Sequence, residues 1–110
     1  MFQDERSKDD HRIFERFPAV MPVSLYNVDA GKELNAITCD VSAKGIGVVC
    51  EEHLNPGDRL DLWLKINDGR DPFHTKGDII WSNRQESGGY RAGISFERTE
   101  LMGMARILRS

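Results

Sequence analysis

The sequence predicts an all-β domain, a six-stranded antiparallel β-barrel with a C-terminal α-helix. Three observations predict it. From about Pro18 to Phe96 apolar and polar residues alternate with a period of two. Turn signals rich in glycine, proline, asparagine and aspartate break that alternation at short intervals. After Phe96 the apolar period lengthens to that of a helix. Six or seven short strands leave exposed edges, and closing the sheet on itself removes them.

Each element has its own signature. Val23 and Leu25 alternate with polar neighbours after Pro22, a residue suited to a strand start or an edge. Ile37, Cys39 and Val41 mark a second strand, and Ile46, Val48 and Cys50 a third. Asn55-Pro56-Gly57-Asp58 reads as a turn. Leu60, Leu62, Leu64 and Ile66 then alternate without a break against Asp61, Trp63, Lys65 and Asn67, the cleanest half-buried strand in the chain. Asn67-Asp68-Gly69 and Asp71-Pro72 end it. Gly77 to Trp81 carries another strand, with Ile79 and Trp81 expected on one face. Ser87-Gly88-Gly89 reads as a hairpin turn before Ala92, Ile94 and Phe96. Leu101, Met104, Ala105 and Leu108 fall at i, i+3, i+4 and i+7, the stripe of an amphipathic helix over 99–109. Thr99 is the expected N-cap, with Glu100 in the first turn and Arg106 and Arg109 in the last.

Composition bounds the function. The chain has 110 residues, one domain by size, with 39% hydrophobic and 30% charged residues. Residues 1–11 read as a flexible tail ahead of a domain over 12–110. No apolar run approaches the roughly 20 residues of a membrane helix. The charged start is unlike a signal peptide, so the expectation is a cytoplasmic protein that does not insert in a membrane. A net charge of −3, and the lack of an aromatic and basic stripe, argue against a nucleic-acid partner. Cys39 and Cys50 read as reduced, buried thiols, although their places around one hairpin allow a facing pair. No catalytic constellation, phosphate-binding loop or metal pattern stands out, so neither an enzyme nor a metal or other cofactor is expected. Trp63 and Trp81 could stack a base, and Trp81 reads as barrel packing, whereas Trp63 alternates out of phase with the leucine face, which places it under the helix or at a partner surface.

Two polar motifs carry the chemistry. Arg12 and Arg16 set two guanidinium forks four residues apart, suited to phosphate oxygens or to the O6/N7 edge of guanine. The same arginines can instead pair with Asp9, Asp10 or Glu15. In Asp40-Val41-Ser42-Ala43-Lys44-Gly45 a carboxylate can accept from a guanine Watson–Crick edge. The hydroxyl and nearby backbone N–H groups can reach a phosphate, and Gly45 can turn tightly. The same residues can equally form an ordinary hairpin turn bonded to local backbone.

Taken together, Arg12-x-x-x-Arg16 and Asp40-x-Ser42-x-x-Gly45 resemble the PilZ domain family. Gly77-Asp78-Ile79-Ile80-Trp81 and Tyr90-Arg91-Ala92-Gly93-Ile94-Ser95-Phe96 look like two of its later strands. The resemblance runs from about Arg12 to Leu108. It implies the same barrel and helix, and a bacterial receptor for the second messenger cyclic di-GMP, which acts in motility or biofilm control. It implies that Arg12 and Arg16 lie on a mobile segment that wraps the nucleotide, contacting phosphate and guanine. Asp40, Ser42 and Gly45 would contact it from the barrel surface. Ordering of the N-terminal segment would then signal to a downstream protein, for instance of the flagellar or polysaccharide machinery. The alternative is a barrel of the same family that binds proteins and no nucleotide. Many members carry a basic residue just before the first motif arginine. Here His11 stands there, which leaves one ligand or a stacked pair open.

Overall fold

Alternation decides which side of each strand meets the core, and the leucine strand does so as expected. Leu60, Leu62 and Leu64 are buried on one face, while Trp63 lies outside. The computed structural model describes residues 15–110. Its elements are β1 (Phe17–Pro18), β2 (Pro22–Asn27), β3 (Lys32–Ser42), β4 (Gly45–Cys50), β5 (Arg59–Leu64), β6 (Phe73–Arg84), β7 (Tyr90–Phe96) and α1 (Leu101–Arg109). Every pairing is antiparallel. The order β3-β2-β5-β6-β7-β4 closes through β3–β4, giving a six-stranded barrel, and β1 adds two residues to β3. The expected fold class is therefore the observed one.

The interior is filled by Val23, Leu25, Val41, Ile46, Val48, Leu60, Leu62, Leu64, Ile79, Ala92 and Ile94. At about 1.5–3 kcal/mol for burying each large aliphatic side chain, this cluster is the main source of stability. The glycine hairpin forms between β6 and β7. Gly88 and Gly89 have φ of 99° and 73°, values an L side chain rarely adopts.

Two bulges shift the phase that plain alternation predicts. On β3 the register slips between Thr38 and Asp40, leaving Cys39 with no residue opposite it on β4. Ala36, Thr38 and Val41 therefore face inward, whereas Ile37 is exposed and Cys39 only half-buried. The expected inward set of Ile37, Cys39 and Val41 is right at Val41 alone. The slip also rules out a facing cysteine pair, because Ile37 stands opposite Val49 and Cys50 lies one step beyond. Both thiols are free; burial pushes that of Cys50 up from its ordinary pKa. On β6 the register slips between Ile79 and Trp81, so Ile79 points into the core and Trp81 out of it. The expectation that both share a face fails for that reason.

Helix α1 covers one mouth of the barrel. Met104 and Ile107 sit over Val41, Ile46, Leu64, Phe73 and Phe96. Gly103 lies so close to Phe73 that an added methyl group would stand 2.7 Å from the ring. The buried face is thus Gly103, Met104 and Ile107, while Leu101 and Leu108, both expected inside, are exposed. The N-cap is Glu100, not Thr99, and its side chain makes no capping bond. Instead its carboxylate accepts from Thr75 Oγ1 at 2.5 Å, and its backbone N–H donates to Ala43 O at 2.8 Å. These bonds tie the helix start to β6 and to the β3–β4 hairpin.

Candidate functional site

The bulge at Cys39 brings Asp40 to the outer surface beside β4. There its carboxylate accepts three N–H donors, with the Cys39 thiol 4.0 Å from Oδ2. Arg16 Nη1 lies 2.5 Å from Oδ1, the Gly47 backbone N–H donates to the same oxygen at 3.1 Å, and Arg91 Nη2 lies 3.3 Å from Oδ2. Arg16 reaches it because β1 runs along the end of β3, with Pro18 opposite Asp40. Arg16 therefore meets Asp40 across the sheet. Arg12 and His11 lie outside the described residues, as do Asp9, Asp10 and the tail 1–11.

Asp40 heads a row that crosses four strands. Gly47 on β4 stands opposite Asp40, Gly93 on β7 opposite Gly47, and Trp81 on β6 opposite Gly93. At ~4.8 Å per strand the row spans about 14 Å. The two glycines make its floor. A methyl group on Gly47 would stand 2.9 Å from Asp40 Oδ1, and one on Gly93 would stand 2.2 Å from Trp81 Nε1. The Asp40 carboxylate thus lies over Gly47 and the indole over Gly93, with 37% of Trp81 exposed. The surface offers an acceptor, two guanidinium forks and an aromatic face in one strip.

Ser42 and Gly45 lie at the hairpin beside this strip. Ser42 is buried, and its hydroxyl donates to Gly45 O at 3.3 Å while accepting from Lys44 N–H at 3.1 Å. A hydroxyl has one proton, and here it is used locally. Gly45 does not turn the chain through positive φ. It instead permits close approach, since a methyl group there would lie 2.3 Å from Ile94 O. Both residues shape the hairpin.

The sequence reading missed Arg91 as a site residue and placed Trp81 in the core. Inward Ala92 and Ile94 signal an outward Arg91, but only strand register brings it to Asp40. Among the described residues, no group of three or more His, Cys, Asp or Glu residues can hold a metal ion, and no helix is long and apolar enough to cross a membrane.

The PilZ domain family model matches residues 10–110. The chain belongs to the PilZ domain family. Solved structures agree on the fold of this PilZ domain. It is similar to the inhibitor of motility MotI/DgrA of Bacillus subtilis, with TM-score 0.69, 18% identity and 89% of this chain covered. The chain spans 48% of that protein's length. It is similar to the PilZ domain of YcgR from Escherichia coli, solved with c-di-GMP, with TM-score 0.69, 18% identity and coverage of 89% of this chain and 88% of that one. The PilZ domain of CeSA from a cellulose-synthesizing bacterium matches with TM-score 0.60 and 23% identity, covering 86% of this chain and 92% of that one. No curated protein matches the sequence.

Proposed function

We propose that this PilZ domain is a cyclic di-GMP receptor without catalytic activity, and that the strip from Asp40 to Trp81 is its binding surface. The observation that carries the reading is the meeting of Arg16, Asp40 and Arg91 at one end of a glycine-floored row ending in Trp81. Cyclic di-GMP presents guanine bases and anionic phosphodiesters. A carboxylate accepts the N–H donors of a guanine Watson–Crick edge, and an indole stacks on a base. Guanidinium forks suit phosphate oxygens and the O6/N7 edge.

In the free protein Asp40 is held by the two arginines. On binding, Asp40 exchanges them for guanine donors, and Arg16 and Arg91 turn to the phosphates or the guanine Hoogsteen edge. Arg12 joins Arg16 from the N-terminal side. Ser42 and Gly45 hold the hairpin that sets Asp40 in place. Binding fixes the N-terminal segment that leads to Arg16 over the nucleotide, at a cost of about 1–2 kcal/mol per ordered residue, and presents a new surface to a downstream protein in the bacterial cytoplasm. The YcgR neighbour was solved with c-di-GMP, and the family membership supports the same ligand here.

Calorimetric titration with cyclic di-GMP is the direct test. The wild type binds, and Arg12→Ala, Arg16→Ala and Asp40→Ala each weaken binding at least about tenfold, the scale of one lost charged hydrogen bond. A wild type that takes up no nucleotide, or Arg16→Ala binding as well as wild type, overturns the reading. Wild type without nucleotide affinity but with a protein partner would mark a domain used for interaction alone.

A further inference from the structure

We propose that the outer face of β2 and β5 is a docking site for a protein partner, which enters through an arginine side chain. This wall faces away from β4 and β7, the middle strands of the Asp40 row, which lie two or three strands from β2 and β5 in the closed order. A partner there and a nucleotide on the other wall do not compete for space.

Two cross-strand rows build the site. Glu33, Tyr26, Asp61 and Lys76 stand opposite one another on β3, β2, β5 and β6. The next outward row is Asn35, Ser24, Trp63 and His74, on β3, β2, β5 and β6. Ser24 is the short residue in the middle. Over it opens a groove of about 580 Å³, bounded by the aromatic rings of Tyr26 and Trp63 and by Glu33 and Asn35. Trp63 is 38% exposed and so presents part of its ring to the groove. His74 braces the indole, with ring centroids 4.9 Å apart and planes tilted by 33°. His74 Nε2 is in turn held 2.9 Å from Asp61 Oδ1.

The charge of the groove selects the occupant. Glu33 is acidic and exposed, and among the described residues none that lines the groove is basic. Phosphate and carboxylate ligands therefore find no counter-charge among those lining residues, Lys76 standing one strand beyond, beside Asp61. A guanidinium can lie flat on an aromatic face while its N–H fork reaches a carboxylate, and Glu33 and the Asn35 amide oxygen supply the acceptors. A net charge of −3 over the chain favours approach of a basic surface.

The test uses the full chain and three probes, followed by 1H–15N NMR: acetyl-Gly-Arg-Gly-amide, acetyl-Gly-Glu-Gly-amide and cellotetraose. The arginine peptide should give saturable shifts at the Trp63 indole N–H and at the amides of Ser24, Tyr26 and Asn35. Glu33→Gln, an exposed and conservative change, should bind it about fivefold more weakly, as expected for one surface charge pair. Trp63→Leu should abolish saturation. Equal shifts from the glutamate peptide or the sugar overturn the proposal. So do Glu33→Gln titrating like wild type, or the same signals moving with protein concentration alone, which would assign the face to a second copy of the chain.

Discussion

At the residue scale, the glycines around Asp40 differ in what an added methyl group would strike. At Gly45 it meets the Ile94 carbonyl at 2.3 Å, part of a neighbouring strand that cannot move alone. At Gly47 it meets the end of the Asp40 side chain at 2.9 Å, which can swing away. Gly45→Ala should therefore cost about 1–3 kcal/mol of stability, the range for overpacking a fixed site. Gly47→Ala should leave the urea midpoint nearly unchanged but displace Asp40, weakening cyclic di-GMP binding several-fold by calorimetry. Equal stability loss at both positions would mean that Asp40 is as rigid as backbone. Asp40, Ser42 and Gly45 stand out as one motif because their spacing is local, and Arg16 stands out through Arg12 four residues before it, although its contact with Asp40 spans 24 positions. Arg91 does not, since its contact with Asp40 spans 51 positions of sequence and depends on two strand registers.

At the scale of elements, helix α1 depends on an ion pair at its end. Arg106, in the last turn, donates to Asp68 through Nε at 2.7 Å and Nη2 at 2.9 Å, and also to Asp71 O at 2.8 Å. The pair ties the loop of residues 65–72 to the helix. The Arg106 hydrogen bonds, and then the Arg70 backbone N–H, lower the Asp68 pKa from 3.8 to about 2. A carboxylate whose folded pKa is depressed stabilises the fold above its unfolded pKa, and loses that contribution as pH falls through the folded value. Wild type should therefore exceed Asp68→Asn in stability at pH 5, with the gap closing between about pH 4 and about pH 2. Urea denaturation across that range measures it, and a gap independent of pH would count against the pair. The strands and helix themselves were legible from their periods. Their facing was not always so, because one extra residue at Cys39 and one at Ile80 reverse the alternation beyond them. In α1 the face is set by the fit of Gly103 to Phe73, which apolar spacing does not register.

At the scale of the whole molecule, the barrel keeps its core apart from the proposed binding row. Its interior residues point into one closed core, and the Asp40 row occupies the outside of four of the same strands. Leu62 is fully buried on β5, a strand that contributes nothing to that row. Leu62→Ala should lower stability by about 2–5 kcal/mol, the usual cost of such a cavity. It should leave the nucleotide affinity of the folded fraction intact. A ligand that binds only the folded state adds RT ln(1 + [L]/Kd), which is about 2.7 kcal/mol at a hundredfold excess over Kd. Cyclic di-GMP at that wild-type excess should therefore add the same increment to wild type and to Leu62→Ala, starting from different baselines. Arg16→Ala should show nearly the wild-type baseline and a much smaller increment, because its exposed side chain contributes to the site rather than the core. Denaturation curves of the three proteins, with and without nucleotide, resolve both quantities. A Leu62→Ala increment as small as that of Arg16→Ala would mean that core packing sets the geometry of the row, and that fold and site are not separable.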